Sequence, residues 1–259
     1  MLGTDTFLGG ILIVAISVLL ALAGLVLAHR LVPNPLRESY TNVAGLIYMP
    51  LSGLVGVVIA FTIVFAWQNF NASYQTTQRE AAALADVYWH ADDFSDLDRQ
   101  EVQQLAQSYA QVVIDEEWPL MATGGESTRA WEYVDELRRH LDKVEPDTSA
   151  EQVIYSREVT QFDAMVNERR LRLQESRQGL PLTLWVALLI NAPLLIIFTY
   201  IFSVKNLLVH MVLVATLTLV VASMIFTIRS LEYPFSGDLT VKPTSIENVL
   251  EGFKTNSSQ

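Results

Sequence analysis

The chain contains no cysteine. Disulfides, thiolate nucleophiles and cysteine-based zinc sites are therefore excluded, while the compartment stays open. Histidine is scarce, with His29, His90, His140 and His210 as the whole complement. None belongs to an HExxH pair, and neither a P-loop nor a GxSxG elbow occurs, so nothing in the chain supports an enzyme. His90 lies beside Asp92 and Asp93, but this reads as a solvated helix end. No metal and no cofactor is expected. Basic residues are also few. The 17 Lys and Arg are outnumbered by 28 Asp and Glu, a formal net charge of −11 that argues against nucleic acid as a partner. Strand-like alternation and internal repeats are both missing.

Apolar sequence is abundant. Hydrophobic residues make up 51% of the 259, and the mean hydropathy is +0.30, a balance that points to a membrane protein. Four runs are long enough to cross a bilayer, which takes about 20 residues: roughly 7–28, 46–67, 182–202 and 207–228. The first has no basic segment before it and is longer than a signal-peptide core, so it reads as a true span. The last two are joined only by Ser203-Val204-Lys205-Asn206 and form a hairpin. The first two are separated by HRLVPNPLRESYTNVAG, where Pro33 and Pro35 break the helix. More than 100 residues part the second run from the third.

That central segment holds the charge excess. Residues 72–180 carry 22 acidic and 11 basic side chains, and the remainder carries 6 of each. Its pattern is helical. Residues 70–91 continue the second span into water. Ser95 with Asp98 and Ser149 with Gln152 are spaced as capping boxes. Gly124-Gly125 breaks the chain, and a helix over about 128–143 stops before Pro146. Val159, Phe162, Val166 and Leu173 mark one buried stripe on a helix reaching about residue 178. The expected fold is an all-α membrane protein: residues 1–69 as spans one and two, 70–180 as an acidic helical water-soluble domain, 181–230 as the hairpin, and 231–259 as a terminal turn and tail. Counting Arg79, Arg169, Arg170, Arg172, Arg177, Arg229 and Lys242 against Arg30, Arg37 and Lys205 favours a cytoplasmic domain on a cell-membrane protein. The first span alone, with Asp5 before it and His29, Arg30 and Arg37 after it, favours the reverse.

No span carries Asp, Glu, Lys or Arg, which argues against a proton-coupled pump and fits a pore with an apolar constriction. Met49, Gly53, Val57 and Phe61 share one face of the second span and are the candidate neck. Ordinary packing inside one bundle is the competing reading. Asn191 and Pro193 suggest either an interhelical hydrogen bond or a freed carbonyl. His210 falls near the membrane interface. In DEEWPLM, Glu116, Glu117 and Trp118 are candidates for an acidic vestibule or an interface, and otherwise mark a helix elbow at Pro119. In LEYPFSGD, Pro234 ends the fourth span, Gly237 reverses the chain, Phe235 tucks between helices, and Asp238 stays in water.

The order of spans, with its large helical insertion, resembles the bestrophins. Residues 50–70, PLSGLVGVVIAFTIVFAWQNF, look like the pore-helix segment of that family. The stretches Glu117-Trp118-Pro119-Leu120-Met121, Leu180-Pro181 through Trp185, and Pro234-Phe235-Ser236-Gly237 look like marks of bacterial bestrophin-like membrane proteins. The resemblance covers most of residues 45–250. It implies a homo-oligomer, a pentamer if the likeness holds, embedded in the lipid bilayer and conducting ions through a neck at Met49, Gly53 and Val57. Two departures stand out. Gly53 removes one bulky ring from the neck, and Asp238 alone cannot supply the six to eight oxygens that calcium takes. On charge, the acidic domain favours cations. The alternative is a non-conducting scaffold whose helical domain binds a protein partner.

Overall fold

The computed structural model describes residues 7–256. Every regular element among them is helical. The α-helices are α1 (Phe7–Leu31), α2 (Asn34–His90), α3 (Asp96–Val112), α4 (Trp118–Met121), α5 (Thr128–Leu141), α6 (Ser149–Arg177), α7 (Leu182–Phe198), α8 (Leu207–Glu232) and α9 (Thr244–Asn256). A π-helical turn, Val113–Glu117, joins α3 to α4 without a break. Four helical stretches are long and apolar enough to cross a membrane: Phe7–Leu31, one within Arg37–Asp93, one within Ser149–Ile201, and Leu207–Glu232. Within Ser149–Ile201 the apolar part is α7, since α6 is rich in Glu and Arg.

The chain folds as two compact units. One takes its described residues up to Asn69 and Gly179–Glu232; the other takes Phe70–Gln178 and the chain from Tyr233 onward. In the first unit α1 lies against α8 and α7, with Ala21, Leu25 and Val214 buried together. Small residues make the approach close. A Cβ on Gly10 would collide with the ring of Phe226. The hydroxyl of Tyr200 donates to the Ala21 carbonyl at 2.8 Å, beside Gly24. Both glycines thus make room for an aromatic ring of a neighbouring element. Asn191 turns back to its own helix and donates to the Ala187 carbonyl at 2.8 Å. His210 lies edge-on to His29, with ring centroids 5.3 Å apart, and its Nε2 is 3.1 Å from the Thr199 carbonyl.

The expected 17-residue connection between the first two spans is not a loop. α1 runs to Leu31 and α2 starts at Asn34, so Pro35 falls in the first turn of α2. A helix tolerates proline there, because that N–H has no intrahelical partner anyway. The helix also passes through Pro50 and continues to His90.

The second unit has a conventional core. Val102, Ala106, Tyr109 and Ala110 of α3 are buried with Ala130, Val134, Leu137 and Leu141 of α5, and with Phe162, Met165, Val166 and Leu173 of α6. Ser95 caps α3 by accepting from the Asp98 amide. The cap of α6 is Thr148, in a full capping box with Glu151, one residue before the pair expected from sequence. Gly124 adopts φ +74 in the loop before α5, a conformation that disfavours a Cβ.

The described part of the tail carries a helix, α9. Ile246, Leu250 and Phe253 of α9 point into the core of this unit, following i, i+4, i+7 spacing. Phe253 stacks on Tyr88 at 3.8 Å. Phe253→Ala is expected to destabilise this unit by about 3–5 kcal/mol, the usual cost of truncating a buried aromatic. Urea denaturation monitored by circular dichroism measures it.

Candidate functional site

Three features carry the functional case, and the first is the free face of α2. Within the first unit α2 buries Ala44, Val55, Ile59, Thr62 and Ala66, a single stripe at helical spacing. Met49, Gly53, Val57 and Phe61 lie on the opposite side. Met49 is 73% exposed, Val57 52% and Phe61 72%. A Cβ added at Gly53 or Gly56 would meet no other atom within 4 Å, so both positions are open to another molecule. The other spans also expose apolar side chains, Leu189 and Ile190 of α7 among them. Exposure alone therefore does not distinguish a pore face from a lipid face.

The second feature is a buried ion cluster in the helical unit. Glu80 of α2, Glu117 of the π turn, and Arg169 and Arg172 of α6 are all fully buried. The Arg172 guanidinium donates to Glu80 at 2.5 and 2.9 Å and to Glu117 at 2.8 Å. Arg169 donates to Glu117 through Nε at 3.1 Å and through Nη2. The Tyr109 hydroxyl donates to Glu80 at 2.7 Å. The Trp118 ring lies 4.9 Å from the Arg172 guanidinium, and the Trp131 ring 4.1 Å from that of Arg169. Two carboxylates thus meet two guanidiniums, and planar forks suit this bidentate geometry. Burial alone would raise the Glu117 carboxyl, but Arg169 and Arg172 outweigh it and hold the group below its usual value. Burial, then the Glu80 charge, pushes the Tyr109 hydroxyl well above the ordinary tyrosine value.

This placement bears on several sequence expectations. Glu117 and Trp118 do not face an open vestibule or surface of the protomer, because the guanidiniums and the core enclose them. Glu116 alone of the three stays at the surface, where it pairs with Arg129 and accepts from the Ser127 hydroxyl at 3.3 Å. Pro119 enters the first turn of α4, a position where a helix tolerates proline. Arg169 and Arg172, counted as charges near the membrane, are neutralised inside the unit. His90 and Asp92 do not converge either: His90 turns towards Glu158, and Asp92 accepts from Gln103 at 2.9 Å.

The third feature explains the short motifs. Glu232, the first of the two acids of LEYPFSGD and the last residue of α8, accepts from the Leu180 amide at 3.2 Å, the Trp185 indole at 2.8 Å and the Arg229 guanidinium at 2.9 Å. It holds the start of α7 against the end of α8 inside the first unit. Beyond it, the second unit buries Pro234 and Phe235 and leaves Gly237 and Asp238 exposed. Phe235 meets Trp118 edge-to-face at 5.6 Å, and the Trp118 indole donates to the Val241 carbonyl at 3.1 Å. The Val241 amide donates to the Pro234 carbonyl at 2.7 Å, closing the turn around Gly237 at φ +85. Sequence reading passed over Glu232. Its signal was a lone acid at the end of an otherwise apolar helix.

Four apolar helices, with polar groups locked at their ends, define an all-helical membrane protein. The family model of the bestrophin-like domain matches residues 15–246, and the chain belongs to that family. Two solved structures share its fold. One is a bestrophin homologue from Klebsiella pneumoniae, at TM-score 0.70 and 9% identity, with 95% of this chain and 99% of that chain covered. The other is a membrane protein solved as a point variant, at TM-score 0.70 and 8% identity with the same coverage. No curated protein matches the sequence.

Proposed function

We propose that the protein is a homo-oligomeric ion channel whose apolar neck is lined by Met49, Gly53, Val57 and Phe61 of α2. The carrying observation is that this face stands opposite the stripe α2 buries in its own protomer, in a chain of the bestrophin-like family. An apolar constriction gates by dewetting, so it needs no charged side chain. In this reading α1, the first part of α2, α7 and α8 span the cell membrane. Residues 70–180 form a water-soluble helical insertion between the second and third spans, on the cytoplasmic side, and the tail from 231 packs with it. Five copies around an axis would place five α2 faces together.

The surface charge supports cation preference. The buried cluster removes two acids and two bases from the helical unit, so by itself it leaves the acidic excess of that segment unchanged, and the segment stays strongly negative with Glu158 neutral. A concentrated negative field raises the local cation concentration and repels anions.

Native mass measurement in detergent, followed by flux from liposomes, tests the proposal. A ring of several copies that passes monovalent cations faster than chloride is the expected result. A monomer or dimer without flux would overturn it and favour a non-conducting scaffold that binds a protein through its helical unit.

A further inference from the structure

We propose that Glu158, His90 and Asp86 form a proton-operated latch on the seam between α2 and α6 of the helical unit. Glu158 occupies the buried stripe of α6, in register with Phe162, Met165, Arg169 and Arg172. It is fully buried, yet among the described residues neither of its carboxylate oxygens has a hydrogen-bond partner. The Nδ1 of His90 lies 3.8 Å from Oε2, and that nitrogen also lacks a hydrogen bond among the described residues. Further along the same seam the comparison is direct. Glu80 and Glu117 are equally buried and are met by guanidiniums. Glu158 has no such partner.

The charged groups around it do not compensate. Asp86, one turn before His90 on α2, adds a like charge, and Arg157, adjacent on α6, opposes it. From α5, Arg138 reaches the ring of Phe162 at 5.1 Å, one turn away on α6. A carboxylate taken out of water without donors is costly, and the inexpensive state is the neutral acid. Burial first, and the Asp86 charge second, push the Glu158 carboxyl up to about 8. The proton on Glu158 lies between the two orphaned groups, and a shift of less than about 1 Å would bring Glu158 within ordinary hydrogen-bond reach of His90 Nδ1. With the proton in place the seam is closed. Once it leaves, Glu158 and Asp86 repel across the seam, and the first half of α6 loosens from α2.

The sign follows from linkage. A folded value raised above the unfolded one means that the folded chain keeps a proton the unfolded chain releases. Stability from this group is full below the ordinary carboxylate value and is lost as pH rises through about 8. The latch depends on the helical unit alone and stands whether or not the protein conducts.

The test uses the full-length protein in detergent. The infrared band of a protonated carboxyl should be present at neutral pH, vanish in Glu158→Gln, and move to lower pH in Asp86→Asn. Hydrogen exchange over residues 149–161 should accelerate with pH in the wild type beyond its intrinsic rise, and not in Glu158→Gln. The ratio of wild-type to Glu158→Gln unfolding constants should change by up to about tenfold per pH unit across the window. Parallel stability profiles, or no protonated band at neutral pH, would overturn the proposal. So would Zn²⁺ stabilising the wild type but not Glu158→Gln, which would make the pair a metal site. If Glu158→Gln does not fold, the shift in Asp86→Asn decides alone, and an unmoved band counts against the latch.

Discussion

Arg172→Met is expected to destabilise the helical unit by about 3–5 kcal/mol, the cost of leaving a buried charge without its partner. Arg172 is the centre of the cluster, pairing with both Glu80 and Glu117. Methionine fills a similar volume but leaves Glu80 with Tyr109 and Glu117 with Arg169. One negative charge then stays uncompensated in the core. The combined variant Arg172→Met, Glu80→Gln should recover part of the loss, and a double-mutant cycle by denaturant melts measures the coupling. The acid side gives a second reading. The Glu117 carboxyl is depressed, so its contribution is present above the ordinary carboxylate value and lost as pH falls through the depressed one. Removing Arg172 raises that value, so acid unfolding should begin at higher pH than in the wild type. An unchanged acid midpoint would show that Arg169 alone sets the charge state of Glu117.

The second large effect concerns conduction. Val57→Ser and Phe61→Ser should each raise liposome flux roughly tenfold by wetting an apolar constriction, and Met49→Ala should change it too. The control is Ile190→Ser on α7, an equally apolar and exposed position, which should leave flux near the wild-type level. Equal responses at Val57 and Ile190 would mean that the α2 face is not the neck.

Much of this architecture was legible in the sequence, and the illegible parts share a cause. Four apolar helices announce themselves by length, because a bilayer demands about 20 residues. Helix ends were less secure. Thr148 with Glu151 and Ser149 with Gln152 have identical spacing, and only the backbone at the cap decides between them. α9 carried a usable signal in Ile246, Val249, Leu250 and Phe253, obscured by its short length and its place after Pro243. The buried cluster was the deepest omission. Hydrophobic periodicity counts only apolar residues, so Arg169 and Arg172 read as surface charge. Their register with Phe162, Met165, Val166 and Leu173 was visible, whereas the partners Glu80 and Glu117 lie 92 and 55 positions from Arg172 along the chain.

The π turn at Val113–Glu117 has a consequence for how this chain can vary. On a strict α-helix Trp118 would sit about half a turn from Tyr109, on the far side of the rod. The one surplus residue swings it back by about 100°, bringing the indole onto the same side as Tyr109 and Met121. The segment therefore works as a rotational setting whose value is a residue count. An exposed side chain within it, such as Asp115, can be exchanged and the aim of the indole kept, whereas adding or losing a single position would turn Trp118, Met121 and everything they hold away from the core at once.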